Sequence, residues 1–366
     1  MQSQQTISVR QFIILITFCT VGDSILVLPS IPALHAREDA WISGLIGLMM
    51  GLLFIYFFAV FGKLYPGLTI FEYNRKLFGK WIGRSATLLL IYYFFLMVSS
   101  QVREIGDFMT TQIMPETPIQ SIVLLFLLTL VVGARLGIET IARAGEIFIP
   151  HFFLLFLILA VCLVPEAEFR NIFPILDNGI APVLRGALTT TTFPFAENVI
   201  MLVILPSVKQ SKPLARNMLI GVLIGGIILE LVIVLTIVVL GAPITAYQMY
   251  PSYALAKKIS IGNFLERIEA MLAIMWIMST FFKAVLYFYA LMLGLSDLTK
   301  LKEPKTLALP LGMILLVSSI AAFPNASYFN DLIDNYWPYF DFTFCLGLPL
   351  LLLAVRFVRI RSGSLR

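Results

Sequence analysis

Thr189-Thr190-Thr191-Thr192-Phe193-Pro194-Phe195-Ala196-Glu197-Asn198 lies inside an otherwise apolar segment from Pro182 to Pro206 that is long enough to cross a bilayer. It makes a poor helix interior. Proline has no N–H to donate, and threonine hydroxyls compete for backbone partners. In hydrocarbon, irregular backbone survives only where protein buries it or where it lines a wet cavity. The stretch therefore predicts a discontinuous transmembrane helix whose break forms a binding site near the bilayer midplane. An ordinary proline kink is the competing reading of Pro194. Glu197 tips the balance, because an acid at membrane depth is costly and marks function by default.

The rest of the chain agrees with a membrane setting. Of its 366 residues 59% are hydrophobic and 13% charged, against about 25% charged in a soluble domain. Apolar runs of membrane-spanning length recur throughout, which predicts an all-α polytopic membrane protein forming a single transmembrane domain over 1–366, and not a globular enzyme. The net charge of +5 then concerns loops and lipid headgroups, not nucleic acid. Cys19, Cys162 and Cys345 all fall in apolar segments and outline no disulfide framework, and two distant histidines make no metal site. Nothing in the sequence asks for a cofactor.

Ten helices are predicted, at 9–34, 41–62, 82–112, 119–133, 144–164, 182–206, 215–241, 264–296, 306–323 and 338–358. The first is too long, and too poor in basic residues ahead of it, for a cleaved signal peptide. With the N-terminus inside, eighteen Lys and Arg residues fall on the inner side and six on the outer, and Arg103 and Lys283 lie within the membrane. That asymmetry and the even helix count predict cytoplasmic termini.

Each half opens on a similar helix. The first contains Gly22-Asp23-Ser24, then Leu28-Pro29-Ser30; the sixth contains Ala196-Glu197-Asn198, then Leu205-Pro206-Ser207. The first would run outward and the sixth inward, as an inverted five-plus-five repeat requires, with repeat one at about 9–164 and repeat two at about 182–358. Paired interrupted helices point to a transporter-type substrate site.

Val21-Gly22-Asp23-Ser24-Ile25-Leu26-Val27-Leu28-Pro29 resembles the first-helix signature of the amino acid–polyamine–organocation transporters. Further stretches resemble the B subunit of endospore germinant receptors, a permease-like branch of that superfamily. They are Leu68–Tyr73, Lys80-Trp81-Ile82-Gly83, Thr117-Pro118-Ile119-Gln120, Phe193-Pro194-Phe195-Ala196-Glu197, and Glu266-Arg267 with Trp276 ahead of Tyr287. The resemblance spans essentially the whole chain and implies the LeuT-type inverted-repeat fold with discontinuous first and sixth helices.

The candidate ligand-binding residues follow from both readings. A break in the first helix would free N–H groups at the positive end of a half-helix, suited to an anionic group; in amino-acid transporters the substrate carboxylate sits there. Gly22, Asp23 and Ser24 occupy this position. They depart from the transporter pattern, since Asp23 intervenes, Ser24 replaces a glycine, and a charged Asp23 would repel a carboxylate unless protonated, turned away or paired. Phe195, Ala196, Glu197 and Asn198 are the counterparts in the sixth helix. Lys283, in an otherwise uncharged part of the eighth helix, needs a partner or a wet cavity, and is expected to offset Asp23 or Glu197. Tyr287, one turn on, shares its face. Tyr93 and Gln101 on the third helix match positions that the germinant-receptor family places round its ligand pocket.

Other charged groups read more plainly. Arg103, Glu104 and Asp107 read as a self-satisfied outer cluster or an extracellular gate, and Glu230 and His151, with no obvious partner in sequence, read as satisfied buried groups or as proton relays. Gly44, Gly47, Gly51, Gly221 and Gly225 suit close helix packing. Segment 243–262 suits an outer loop covering the site.

The resemblance implies a permease-like subunit that senses a small germinant, an amino acid foremost. It would act with a larger A subunit and a C-subunit lipoprotein in the spore inner membrane, itself a specialised bacterial cell membrane. The rival reading is a proton-coupled amino-acid transporter of the same superfamily, with Asp23 or Glu197 titrating. No nucleophile–base pair supports an intramembrane enzyme.

Overall fold

The computed structural model describes residues 5–64, 66–209, 213–259, 268–323, 328, 332 and 335–362. Among these, ten helices are long and apolar enough to cross a membrane. The chain is an integral membrane protein with the LeuT-type fold.

The first helix runs from Val9 to Val21, behind a capping box in which Ser8 N–H donates to Gln11 Oε1 at 2.8 Å and Gln11 N–H to Ser8 Oγ at 3.2 Å. It stops at Gly22, whose φ of 34° and ψ of −131° no helix contains, and resumes as Ser24–Val27. Pro29 interrupts it again, and Ser30–Ala36 completes the crossing. The sixth helix, Ile180–Phe195, carries Pro194 inside it and then tightens into a 3₁₀ segment at Ala196–Ile200 before Met201–Ile204. Its interruption is thus a change of helical pitch, narrower than the unwound backbone the threonine run suggests. The threonines instead bond back into their own helix: Thr190 Oγ1 donates to Gly186 O at 2.8 Å and Thr191 Oγ1 to Ala187 O at 2.6 Å.

The second, fourth, seventh and ninth helices, Ala40–Lys63, Ile119–Leu136, Leu214–Leu240 and Ala308–Ala321, lie where the apolar runs place them. The third begins at Ile70, not at 82, and reaches Phe108. Its first turns are capped by Thr69 and Glu72 and kink at Gly79, with a φ of 81°. The stretch ahead of 82, with Arg75, Lys76 and Lys80, is thus a short helix feeding the span. The fifth, Ile138–Leu163, begins six residues before the predicted 144, directly after Gly137. The eighth is described from Glu269 to Thr299; its predicted start at 264 lies outside the described residues, as do Glu266 and Arg267. The tenth comprises Trp337–Asp341, a π-helical stretch Phe342–Gly347, and Leu348–Arg361.

Leu125, Leu157, Met313 and Leu351 of the fourth, fifth, ninth and tenth helices are exposed, as befits an outer wall facing lipid tails. The first, sixth and eighth helices are enclosed. Close approach uses the small residues seen in the sequence: Gly47 of the second helix faces Thr190 of the sixth, and Gly221 and Gly225 of the seventh face Ile16 and Thr20 of the first. Below the first helix, Ile7 and Val208 form a parallel bridge, in which Ile7 N–H donates to Ser207 O and Lys209 N–H to Ile7 O, both at 2.9 Å.

Candidate functional site

The breaks in the first and sixth helices meet at one lysine. Lys283, fully buried in the eighth helix, places Nζ 2.5 Å from Asp23 Oδ1 and also ion-pairs with Glu197 Oε2. The sequence expected Lys283 to offset one acid or the other; it holds both. Asp23 is 3% exposed and Glu197 0%, so neither acid can trade its partner for bulk water.

The eighth helix also satisfies the backbone that the first break releases. Ser279 Oγ donates to Gly22 O at 2.6 Å, and the Trp276 indole N–H donates to Asp23 O at 3.2 Å. Unpaired carbonyls at membrane depth would be expensive, so the break is held open by these two side chains as much as by glycine. On the sixth helix, Tyr287 OH donates to Glu197 O at 2.5 Å, one turn from Lys283. Asn198 Nδ2 donates to Pro194 O at 3.0 Å, within its own helix, and to Thr20 Oγ1 at 3.1 Å, on the first. The two interrupted helices are therefore joined directly as well as through Lys283.

Gln101 Nε2 reaches Asp23 Oδ2 at 3.4 Å, and Tyr93 OH donates to Asp341 Oδ1 at 3.0 Å. Both third-helix candidates thus face the centre. Ser24 and Ala196 are buried beside the breaks, and the Ser24 hydroxyl has no hydrogen-bond partner. The Phe195 ring is wedged between Gly51 and Gly226 of the second and seventh helices. Phe193 brings its ring within 5.3 Å of Lys283 Nζ, a cation–π distance.

Three residues of this centre went unread in the sequence. Asp341 is a fully buried acid of the tenth helix, and Trp337, one turn before it, donates its indole N–H to Glu197 Oε1 at 3.4 Å. An acid inside an apolar run was the available signal for Asp341. Ser279 carried none.

The outlying charges sort differently from the sequence reading. Arg103 Nε donates to Asp107 Oδ2 at 2.9 Å, but Glu104 stands apart, buried with Oε1 unbonded. Adjacent positions on a helix point in different directions, which is why the three do not close into one cluster. His151 is exposed, not buried, and contacts its own helix at Ile147 O, 2.9 Å away. Glu230 is partly buried against Gly44, and its Oε1 lacks a hydrogen-bond partner. Segment 243–262 forms two short helices, Ala242–Tyr247 and Pro251–Ala256, with 260–262 outside the described residues. From the second, Ser252 Oγ donates to Ile25 O at 2.7 Å, beyond the first break. Tyr250, Tyr253 and Trp276 crowd round Phe108, with ring centroids 5.1, 5.1 and 4.7 Å away.

Comparison with known proteins agrees with this architecture. Residues 6–327 match the spore-permease family, described as spore germination protein. The chain is 31% identical to spore germination protein KB of Bacillus subtilis (strain 168), covering 95% of this chain and 94% of that one. It is 27% identical to spore germination protein YndE of the same organism, covering 95% and 96%. Among solved structures, it resembles Mhp1, a nucleobase-cation-symport-1 family transporter in a closed conformation with bromovinylhydantoin bound. The TM-score is 0.67 at 12% identity, covering 90% of this chain and 75% of that one. It also resembles MhsT in complex with L-phenylalanine, with a TM-score of 0.63 at 14% identity, covering 96% and 99%.

Proposed function

Because this chain belongs to the spore-permease family of spore germination proteins, we propose that it is the permease-like, ligand-sensing subunit of an endospore germinant receptor. It binds a small germinant, an amino acid, at the breaks of the first and sixth helices, and it passes the signal on with an A subunit and a C-subunit lipoprotein in the spore inner membrane, both termini facing the core.

The observation that carries this reading is the double pairing of Lys283 with Asp23 and Glu197. Three charges from three helices converge at the interrupted helices, and this supports a site for a ligand that carries both signs of charge. A zwitterion can exchange with them in kind: its ammonium answers the acids, and its carboxylate answers the lysine. Such an exchange would loosen the first and sixth helices from the eighth and favour a second arrangement of the helices. The free energy for that shift is the ligand's difference in affinity between the two arrangements. A structural relative with a bound amino acid shares the fold and makes this ligand class the first to try.

The rival is a proton-coupled amino-acid transporter, in which Asp23 or Glu197 would titrate in each cycle. Reconstitution of the chain alone in vesicles separates the two. The receptor reading expects saturable amino-acid binding with almost no accumulation, and germination only with the partner subunits. Robust proton-dependent accumulation by the isolated chain would overturn it, and Asp23→Asn would then abolish uptake while sparing exchange.

A further inference from the structure

The centre holds more acid than its lysine can answer. Lys283 pairs with Asp23 and Glu197, yet Asp341 lies within electrostatic reach of all three and forms no ion pair among the described residues. Its Oδ1 accepts from Tyr93 at 3.0 Å, while Oδ2 has no hydrogen-bond partner in a residue that is 0% exposed. Protonation does not repair this. An ionised oxygen there lacks a donor or cation, and a protonated one lacks an acceptor. Either way one buried valence meets no partner among the described residues, which native proteins seldom tolerate without a functional reason.

Two further observations describe what belongs there. The turn from Trp337 to Asp341 is laid against the sixth break, since Trp337 donates to Glu197 Oε1. Glu197 and Asp341 are therefore near neighbours, each within the other's electrostatic reach. The two donors to these acids, Tyr93 and Trp337, belong to one aromatic cluster: Phe344 stacks on Tyr93 with centroids 5.3 Å apart, Phe340 is 5.4 Å from Tyr93, and Trp337 is 5.7 Å from Phe340. Aromatic faces attract cations and repel anions.

We propose that Asp341, together with Glu197, receives a positively charged group, either the ammonium of an amine-bearing ligand or an alkali-metal cation. The assignment rests on the ligand site proposed at the first and sixth breaks and extends it to the tenth helix. It divides the labour at the centre: Lys283 meets the anionic end of a ligand, and Asp341 and Glu197 meet a cationic one. A neutral sugar or nucleoside would bring no cation to Asp341.

The test follows thermal unfolding of the purified full chain in detergent at constant ionic strength, in N-methyl-D-glucamine chloride. Ethylammonium, potassium or sodium chloride is titrated in, with N-methyl-D-glucamine propionate as the anionic control. The expected result is a saturable rise in Tm with a cation and none with propionate. A response to ethylammonium alone identifies a ligand ammonium; a response to potassium or sodium identifies an inorganic ion. Asp341→Asn keeps an acceptor for Tyr93 and should raise the half-saturating concentration at least tenfold. If that variant does not fold, Asp341→Glu, which moves the charge by one methylene, should raise it severalfold. Indifference of the unaltered chain to every cation overturns the assignment, as does an unchanged half-saturating concentration in whichever variant folds. An amino acid that stabilises Asp341→Asn at its usual concentration overturns the assignment of a ligand ammonium to Asp341 and leaves the first and sixth breaks standing as a site. An unaltered chain that no amino acid stabilises removes that site as well.

Discussion

The Lys283 side chain occupies the space a β-carbon on Gly22 would need: a methyl there would overlap Lys283 Cδ. The glycine is required twice over, because its φ of 34° is also one that side chains rarely adopt. Gly22→Ala should cost roughly 1–3 kcal/mol in backbone strain and about 1–3 kcal/mol more in overpacking, and should displace the lysine from its acids. Gly179 also has a positive φ, 75°, but nothing lies within 4 Å of its missing β-carbon. Thermal unfolding in detergent should therefore show Gly22→Ala to be clearly the more damaging of the two. Equal losses would mean that contact with Lys283 does not matter.

Removing Lys283 should hurt more than removing either acid. Lys283→Met leaves two buried carboxylates facing each other, and breaking a buried pair costs about 3–5 kcal/mol. Glu197→Gln leaves Lys283 still paired with Asp23. The double variant should cost less than the sum of the singles, with a coupling of roughly 0.5–3 kcal/mol. Strict additivity in a thermal-unfolding cycle would deny the pair any energetic meaning.

Tyr287→Phe removes the hydroxyl that satisfies Glu197 O and nothing else of the ring. Leaving a buried carbonyl unanswered should cost about 1–3 kcal/mol. The ligand concentration needed for half-maximal response should shift while insertion stays normal. Tyr289→Phe, two residues on, is the control, and an equal shift there would remove Tyr287 from the site.

Orientation can be read with thiol reagents. In a Cys162→Ser background, with Cys19 and Cys345 buried, a cysteine replacing exposed Glu116 should react with an externally applied, impermeant reagent. One replacing exposed Lys302 should not. The opposite pattern would invert the chain in the bilayer.

The helices were legible because apolar runs of spanning length have few other uses, and the turn at Gly22 and the pitch change after Pro194 because glycine, proline and an acid interrupt those runs. The unwound backbone expected in the sixth helix is replaced by a 3₁₀ segment. What escaped was whatever depended on distance across the fold. Trp337 reaches Glu197 over 140 positions of sequence, and no local pattern announces that. Asp341 was overlooked beside Tyr339, Phe340 and Phe342, where the tenth helix begins and an acid looks like a cap. The start of the third helix was missed for a different reason: its basic residues resemble a loop, and only the Thr69–Glu72 capping box betrays the helix.

The bridge between Ile7 and Val208 has a mechanical meaning. It couples the entry of the first helix to the exit of the sixth by two main-chain bonds, far from the charges at their breaks. The two interrupted helices thus share one handle. A displacement of either at this end must carry the other's end with it.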